Sequence, residues 1–241
     1  MPRRFGEQSC LRVGFRTAKA NWLSLCESTR ICATILMMAA ICAAEEPLKF
    51  DFETSRVSEL PSGWQEAKTG EGEGSVWRVV SHEADGKSGR CLAQTSSAGA
   101  NNFFNLCVRP EVQFADVEVR VRLLAKTGEH DRGGGVVWRY RDANNYYITR
   151  WNPLEDNFRV YHVVNGKRTQ LANADVKLAA DQWHTVRAVH RGNHIQCYLD
   201  DQPLLDVHDE TLKEAGAVGL WSKADAVTWF DDFSIQTPVR E

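Results

Sequence analysis

Apolar and polar positions alternate with period two along most of the chain beyond residue 50. The cleanest case is 115–125, ADVEVRVRLLA: Val117, Val119, Val121 and Leu123 fall on one side, Asp116, Glu118, Arg120 and Arg122 on the other. Such alternation marks a strand with one buried face. An alternating strand also begins at Phe50-Asp51-Phe52-Glu53, further short strand-like runs recur at 75–80, 90–95, 157–164, 167–171, 183–190, 194–199, 204–207, 217–222 and 227–236, and 133–152 reads as a hairpin of two aromatic, β-branched runs. Turn residues separate them: Glu83-Ala84-Asp85-Gly86, Asp142-Ala143-Asn144-Asn145, Asn165-Gly166, Arg191-Gly192-Asn193 and Asp200-Asp201-Gln202-Pro203. Asn-Gly takes φ > 0 at little cost and predicts a tight hairpin. Residues 58–74, rich in Gly, Ser, Glu and Pro around Trp64, read as loop, and 209–216 as one helical turn. No helix-period segment of 12 or more residues follows residue 44. The pattern predicts an all-β sandwich of two antiparallel sheets.

The first 44 residues follow a different pattern. Residues 31–44, ICATILMMAAICAA, form the only long apolar run, with Arg30 and further basic residues ahead of it. A membrane span needs about 20 residues, so the run is short for one. It suits a secretory signal with small residues at a cleavage point after Ala44. The expected organisation is an export segment over 1–44 and a single sandwich domain over 45–241, secreted or periplasmic, with no membrane span in the mature part.

This division changes the charge. Residues 1–44 hold six of the 29 Lys+Arg and two of the 32 Asp+Glu, leaving 23 against 30 and a net of −7. An acidic domain without a dense basic cluster disfavours nucleic acid as a partner. Four of the seven cysteines lie in the first segment. Cys91, Cys107 and Cys197 remain without a C-x-x-C pairing, either as a Cys91–Cys107 bridge with one thiol over or as three buried reduced thiols.

Residues 133–157, GGGVVWRYRDANNYYITRWNPLEDN, gather the densest candidate chemistry. Aromatic rings beside guanidinium, amide and carboxylate groups bind sugar by stacking on its apolar face and hydrogen bonding to its hydroxyls. The same residues also suit plain core rings with solvated charges. Parity leaves open which face of 146–152 is buried: Tyr146, Ile148, Arg150 and Asn152, or Tyr147, Thr149 and Trp151. Trp221 and Lys223 share one face of a later strand, with Asp225 in the loop after it.

Conventional cleavage chemistry finds little footing. Retaining glycosidases need two carboxyls about 5 Å apart, which E-x-D-x-E on one strand supplies. Here Asp116-x-Glu118 runs on into Arg120 and Arg122, the pattern of a solvent-facing strand. His184, His190 and His194 cluster without a nucleophile elbow, and the equal parity of His184 and His190 suits an exposed face better than a metal. Two adjacent acids in the apolar terminal strand, Phe230-Asp231-Asp232-Phe233, are costly unless exposed or bound to a cation. First and last strands of a sandwich often lie side by side, which would bring Asp51 and Glu53 near Asp232 and offer a structural Ca²⁺ site.

The succession GGGVVWRYRDANNYYITRWNPLEDN, VYHVVNGKR, DQWHTVR, YLDDQPL and GAVGLWSKADAVTWFDDFSI spans most of 48–237. It resembles the concanavalin A-like lectin/glucanase superfamily and, more closely, the bacterial 3-keto-disaccharide hydrolase-type domain. The resemblance implies a jelly roll with a carbohydrate-facing role, in binding or in hydrolysis of oxidised disaccharides. The FDFE start and FDDF end also look like the calcium-binding ends of several carbohydrate-binding modules, which points again to Asp51, Glu53 and Asp232. Hydrolase members of the group carry asparagine-serine-glycine ahead of a sheet arginine. Here Gly133-Gly134-Gly135 stands in that place, and only the arginine position, Arg139, carries over. The resulting expectation is a saccharide held in a groove lined by Arg139, Tyr147, Arg150, Asn152, Glu155, Trp221 and Lys223. The alternatives are a glycoside hydrolase acting on 3-keto-disaccharides, with Glu155 or Asp225 as acid or base, and a structural surface module without a small ligand.

Overall fold

A computed structural model describes residues 46–84 and 87–239. The export segment expected over 1–44 and the turn tip Asp85-Gly86 lie outside the described residues. Strands follow one another as β1 (Leu48–Phe50), β2 (Gln65–Thr69), β3 (Trp77–Ala84), β4 (Lys87–Gln94), β5 (Phe104–Phe114), β6 (Val117–Thr127), β7 (Gly134–Asp142) and β8 (Asn145–Asn152). Then come β9 (Asn157–Val164), β10 (Lys167–Asp175), β11 (Trp183–Arg191), β12 (His194–Leu199), β13 (Gln202–His208), β14 (Gly216–Lys223) and β15 (Val227–Gln236). Among the described residues there is no helix, and so none long and apolar enough to cross a membrane.

The strands form two antiparallel sheets, as the alternation predicts. One sheet runs β13-β12-β11-β6-β15-β4-β3, with β1 also pairing β15; the other runs β10-β9-β8-β7-β14-β5-β2. The first and last strands do lie side by side, Phe50 opposite Phe233. Tight turns set the hairpin registers: Asn165 and Gly166 have φ of 51° and 76°, Asp200 and Asp201 of 49° and 63°. Two consecutive left-handed residues match the twist of the flanking strands, and Asn, Asp and Gly tolerate that geometry best.

Between the sheets, Val117, Val119, Val121 and Leu123 of β6 are fully buried with Val186, Ala188, Phe230, Phe233, Trp138 and Trp151. Their polar neighbours on β6 face outward in ion pairs: Glu118 with Arg187, Arg120 with Asp201, Arg122 with Asp232. The last two pairs are about half exposed, and such pairs contribute roughly 0–1 kcal/mol each. The apolar side of β6 therefore carries its stability.

Three expectations from the pattern are corrected. Strands β2 and β5 arise where no strand was expected, β2 inside the presumed loop 58–74. Residues 104–108 of β5 are buried on both faces, which erases alternation. Pro110 falls at the register shift against β14, where its missing N–H is harmless. Residues 209–216 form no helical turn. His184 and His190 are buried rather than on an exposed face. Their shared parity is right, but it is the parity of Val186 and Ala188, facing the core. His184 is held by Asp200 at 2.6 Å and the Ala179 carbonyl at 2.9 Å, and His190 Nδ1 accepts from Trp138 Nε1 at 2.9 Å. Of the two readings of the cysteines, the structure has the second: Cys91, Cys107 and Cys197 are buried free thiols.

Candidate functional site

The structure settles the two faces of β8. Tyr147 and Trp151 enter the core between the sheets, whereas Tyr146 and Ile148 lie on the other face with Phe104, Leu106, Val108, Val137, Tyr161, Val163 and Trp221. That face is strongly curved. Thr69 of β2 meets the Tyr146 hydroxyl at 2.7 Å and the Ala143 carbonyl, although β2 and β8 are four places apart in the sheet. The Arg168 guanidinium of β10 lies over Tyr161 at 4.5 Å, Phe104 at 4.9 Å and Trp221 at 5.7 Å. From β10 to β5 a flat sheet would measure about 24 Å at about 4.8 Å per strand, beyond the reach of one arginine. The seven-stranded sheet therefore curls until each edge strand reaches across the face, β2 to β8 and β10 to β5, over a concave, aromatic floor.

One end of this face is polar. Arg150, itself 1% exposed, donates to Asn157 Oδ1 at 2.6 Å, Glu155 Oε2 at 2.8 Å and the Tyr161 hydroxyl at 3.3 Å. Arg159 stands directly opposite Arg150 across the β8–β9 ladder and also reaches Glu155, at 3.1 Å. Two arginines facing each other repel; Glu155 bridges them and offsets the repulsion. Burial disfavours the Glu155 carboxylate, but hydrogen bonds from Arg150 and Asn157 and the charges of both arginines outweigh it. They hold the group down at about 2.

Asn152 links this cluster to a second one. Its oxygen accepts the backbone N–H groups of Leu154 and Glu155 and so shapes the β8–β9 turn; its amide donates to Asp131 at 3.0 Å. Asp131 is buried and pairs with Lys223 Nζ at 2.7 Å. Burial raises the Asp131 pKa, against the opposing pull of Lys223 and Arg150. Lys223 keeps 12% of its side chain exposed.

Of the residues expected to line a groove, Arg150, Asn152, Glu155 and Lys223 thus converge. Trp221 shares their face but is fully buried with Arg168 above it, so it offers no open stacking surface. Two expected residues lie elsewhere. Tyr147 stacks on Trp138 in the core, ring centroids 5.7 Å apart, and its hydroxyl bonds Asp209 and the Leu212 N–H. Arg139 is 2% exposed and spends its guanidinium on three backbone carbonyls, of Ala115 at 2.7 Å and of Leu212 and Gly192 at 2.8 Å. Strand parity would put Arg139 beside Val137. A left-handed φ of 44° at Arg139, inside the irregular stretch between Trp138 and Asp142, turns it away. Asp225 is also committed: burial disfavours its charge, but the backbone N–H groups of Glu129, His130 and Asp131 overcome that and lower its pKa.

Sequence reasoning missed Asp131, Asn157, Arg159, Tyr161 and Arg168. Asn157, Arg159 and Tyr161 alternate along β9 and are the register partners of Asn152, Arg150 and Ile148. That spacing was a usable signal. Nothing in the sequence places Arg168 over Phe104 and Trp221.

Asp51 and Asp232, two of the three carboxylates expected to hold calcium, line one shallow pocket, and each of the three has another partner. Asp232 pairs with Arg122 at 3.0 Å, Glu53 accepts the Arg90 N–H at 3.1 Å, and Asp51 accepts the Glu53 N–H at 3.1 Å. Among the described residues they do not form a group of three converging ligands; His194, Asp206 and His208 do. A bulge between Asp231 and Ser234, with φ of 50° at Asp232, aims Asp232 at the arginine.

Residues 58–236 match the model of the 3-keto-alpha-glucoside-1,2-lyase-like domain. The chain belongs to that family. No curated protein matches it in sequence. Among solved structures it is similar to the carbohydrate binding module CBM66 from Bacillus subtilis, with a TM-score of 0.56 and 19% identity over 72% of this chain and 95% of that one. It is also similar to a Bacillus subtilis protein of unknown function with a galectin-like fold, at TM-score 0.50 and 12% identity over 68% and 90%. A mutant of the GH43 protein BlXynB from Bacillus licheniformis aligns at TM-score 0.54 and 18% identity, over 79% of this chain but 39% of that one. These likenesses show the fold, a jelly-roll sandwich of two antiparallel sheets.

Proposed function

We propose that this family member is an exported saccharide-binding domain, and that its ligand is a 3-keto-α-glucoside held at the polar end of the concave sheet face. The observation that carries the reading is the convergence of Arg150, Arg159, Glu155, Asn152, Asp131 and Lys223 beside an aromatic floor. Fixed charged donors and acceptors match the paired hydroxyls of a sugar, and a ketone oxygen, an acceptor only, calls for a cationic donor. Lys223 and Arg159 are the partly exposed cations there. Membership of a 3-keto-alpha-glucoside-1,2-lyase-like family supports an oxidised glucoside as the ligand, and the basic and apolar pattern of residues 1–44 supports export.

Binding is favoured over cleavage because the two acids first considered are poor proton carriers. A general acid or base works best with a pKa near the operating pH. Glu155 is held at about 2, and Asp225 is lowered and tied to three N–H groups. One observation favours a second reading, cleavage: Asp131 is a buried carboxylate with a raised pKa beside an ammonium. In an elimination across C1 and C2 of a 3-ketoglucoside, the C2 proton that the ketone acidifies would pass to Asp131, the C1–C2 double bond would form as the C1–O bond breaks, and the departing oxygen would take a proton from the Lys223 ammonium.

Isothermal titration calorimetry with a 3-keto-α-glucoside and its unoxidised parent tests the proposal. Wild type should prefer the keto sugar, and Lys223→Met and Arg159→Ala should each weaken binding by more than about tenfold, or 1.4 kcal/mol. Equal binding by all three proteins, or none by wild type, overturns it. Mass spectrometry of the incubated sugar separates the readings: turnover by wild type that Asp131→Asn abolishes would establish cleavage.

A further inference from the structure

The eight-stranded sheet carries a second constellation on its outer face, in the edge hairpin β12–β13. His194 and His208 are register partners, and Gln196 is paired with Asp206 one step further along the same face. The Asp209 N–H bonds the Asn193 carbonyl at 2.9 Å, which makes 193 and 209 a hydrogen-bonded pair and 194 and 208 the closer, non-hydrogen-bonded kind. Their imidazoles accordingly lie parallel, centroids 4.6 Å apart and 11° between planes. Asp206 places one oxygen 2.8 Å from His194 Nε2 and the other 3.1 Å from Gln196 Nε2. One ligand atom from each of His194, Asp206 and His208 lies within 4.8 Å of the other two.

We propose that His194, Asp206 and His208 form a binding site for a first-row divalent transition metal, of the two-imidazole, one-carboxylate class that takes Zn²⁺. Three lines of physical reasoning support it. The spacing is fixed by backbone pairing rather than by a loop, so little ordering entropy opposes binding. Zn²⁺ held at about 2.0–2.1 Å needs ligand atoms about 3.4 Å apart. Exposed side chains reach that from 4.8 Å by small rotations, with the metal replacing the proton shared between His194 and Asp206. Two imidazoles select borderline metals over Ca²⁺ or Mg²⁺, which prefer oxygen. Gln196 then acts from outside the ligand set, orienting the carboxylate.

Three protein ligands leave a coordination position for water or an incoming donor, so the ion would be exchangeable. Its structural effect follows from where the hairpin leads. Strand β13 runs directly into 209–212, where Asp209 receives the Tyr147 hydroxyl and the Leu212 carbonyl receives Arg139. A metal clamping His208 to His194 would fasten that segment at its root.

The test uses the full chain without an affinity tag of histidines. Zn²⁺ titrated into wild type should bind one equivalent and raise the melting temperature, and Co²⁺ should give visible absorption typical of imidazole and carboxylate ligation. His194→Ala and His208→Ala, both at surface positions, should fold normally and lose more than about tenfold in affinity together with the Co²⁺ spectrum. Wild type that binds no Zn²⁺, variants that bind like wild type, or Ca²⁺ that binds as tightly would each overturn the proposal.

Discussion

Arg139 tests whether a charged residue on the most sugar-like stretch of this chain is a ligand group or a structural pin. Replacing it with methionine keeps most of the volume and removes the charge. Three hydrogen bonds to backbone carbonyls go with it, at 2.7 Å, 2.8 Å and 2.8 Å. Hydrogen bonds to charged groups contribute about 1.5–3 kcal/mol each, a gross loss of roughly 4–9 kcal/mol. Relief of the desolvation of a buried guanidinium offsets part of this, and a net loss of about 3–5 kcal/mol is expected. Domains are stable by only about 5–15 kcal/mol. With a denaturant slope of about 2 kcal/mol/M, the urea midpoint should fall by about 2 M, read by tryptophan fluorescence. The carbonyls belong to 115, 192 and 212, on three separate segments, so the transition should also broaden as the 209–212 segment loosens. A midpoint shift below about 0.5 M would refute the pin. Saccharide affinity lost at unchanged stability would return Arg139 to the binding site.

Two further outcomes follow from single positions. A Cβ at Gly135 would collide with the Thr149 carbonyl oxygen in the neighbouring strand, a backbone atom that cannot swing aside. Gly135→Ala should therefore cost more than about 3 kcal/mol, and a melting temperature within a few degrees of wild type would disprove that close approach. His190 is held neutral: burial first, then the charge of Arg139, lower its pKa from 6.5 to about 3. A group harder to protonate when folded contributes stability that is complete above pH 6.5 and drains away as pH falls towards 3. His190→Gln keeps an acceptor for Trp138 and should flatten urea midpoints between pH 7 and 4. Burial raises the Asp231 carboxyl to about 6, which acts in the opposite direction and is common to both proteins. Identical pH slopes would rule out the assignment.

Much of the sandwich was legible because its signals are local. Alternation along 115–125, turn residues at Asn165-Gly166 and Asp200-Asp201, and the lack of helix periodicity each report on the backbone of a few consecutive residues. Where a strand is covered on both faces, as at 104–108, the period-two signal vanishes and β5 was lost with it. The site was legible in part. Arg150, Asn152, Glu155 and Lys223 were identified as chemistry and do converge, since strand parity fixes which neighbours share a face.

Parity alone cannot say which face is the core. That choice depends on the opposing sheet, and it sent Tyr147 inward and buried His184 and His190. Parity also fails at bulges, and left-handed residues at Arg139 and Asp232 re-aimed both side chains towards partners far away in sequence. The sequence by itself therefore determined most of the strands, their tight turns and a short roster of polar residues suited to sugar. Only the tertiary structure decided which of them meet, because curling of the seven-stranded sheet brings together Thr69 and Tyr146, and Arg168 and Phe104. Curvature is a sum over many small strand twists and bulges, and no single stretch of sequence carries it.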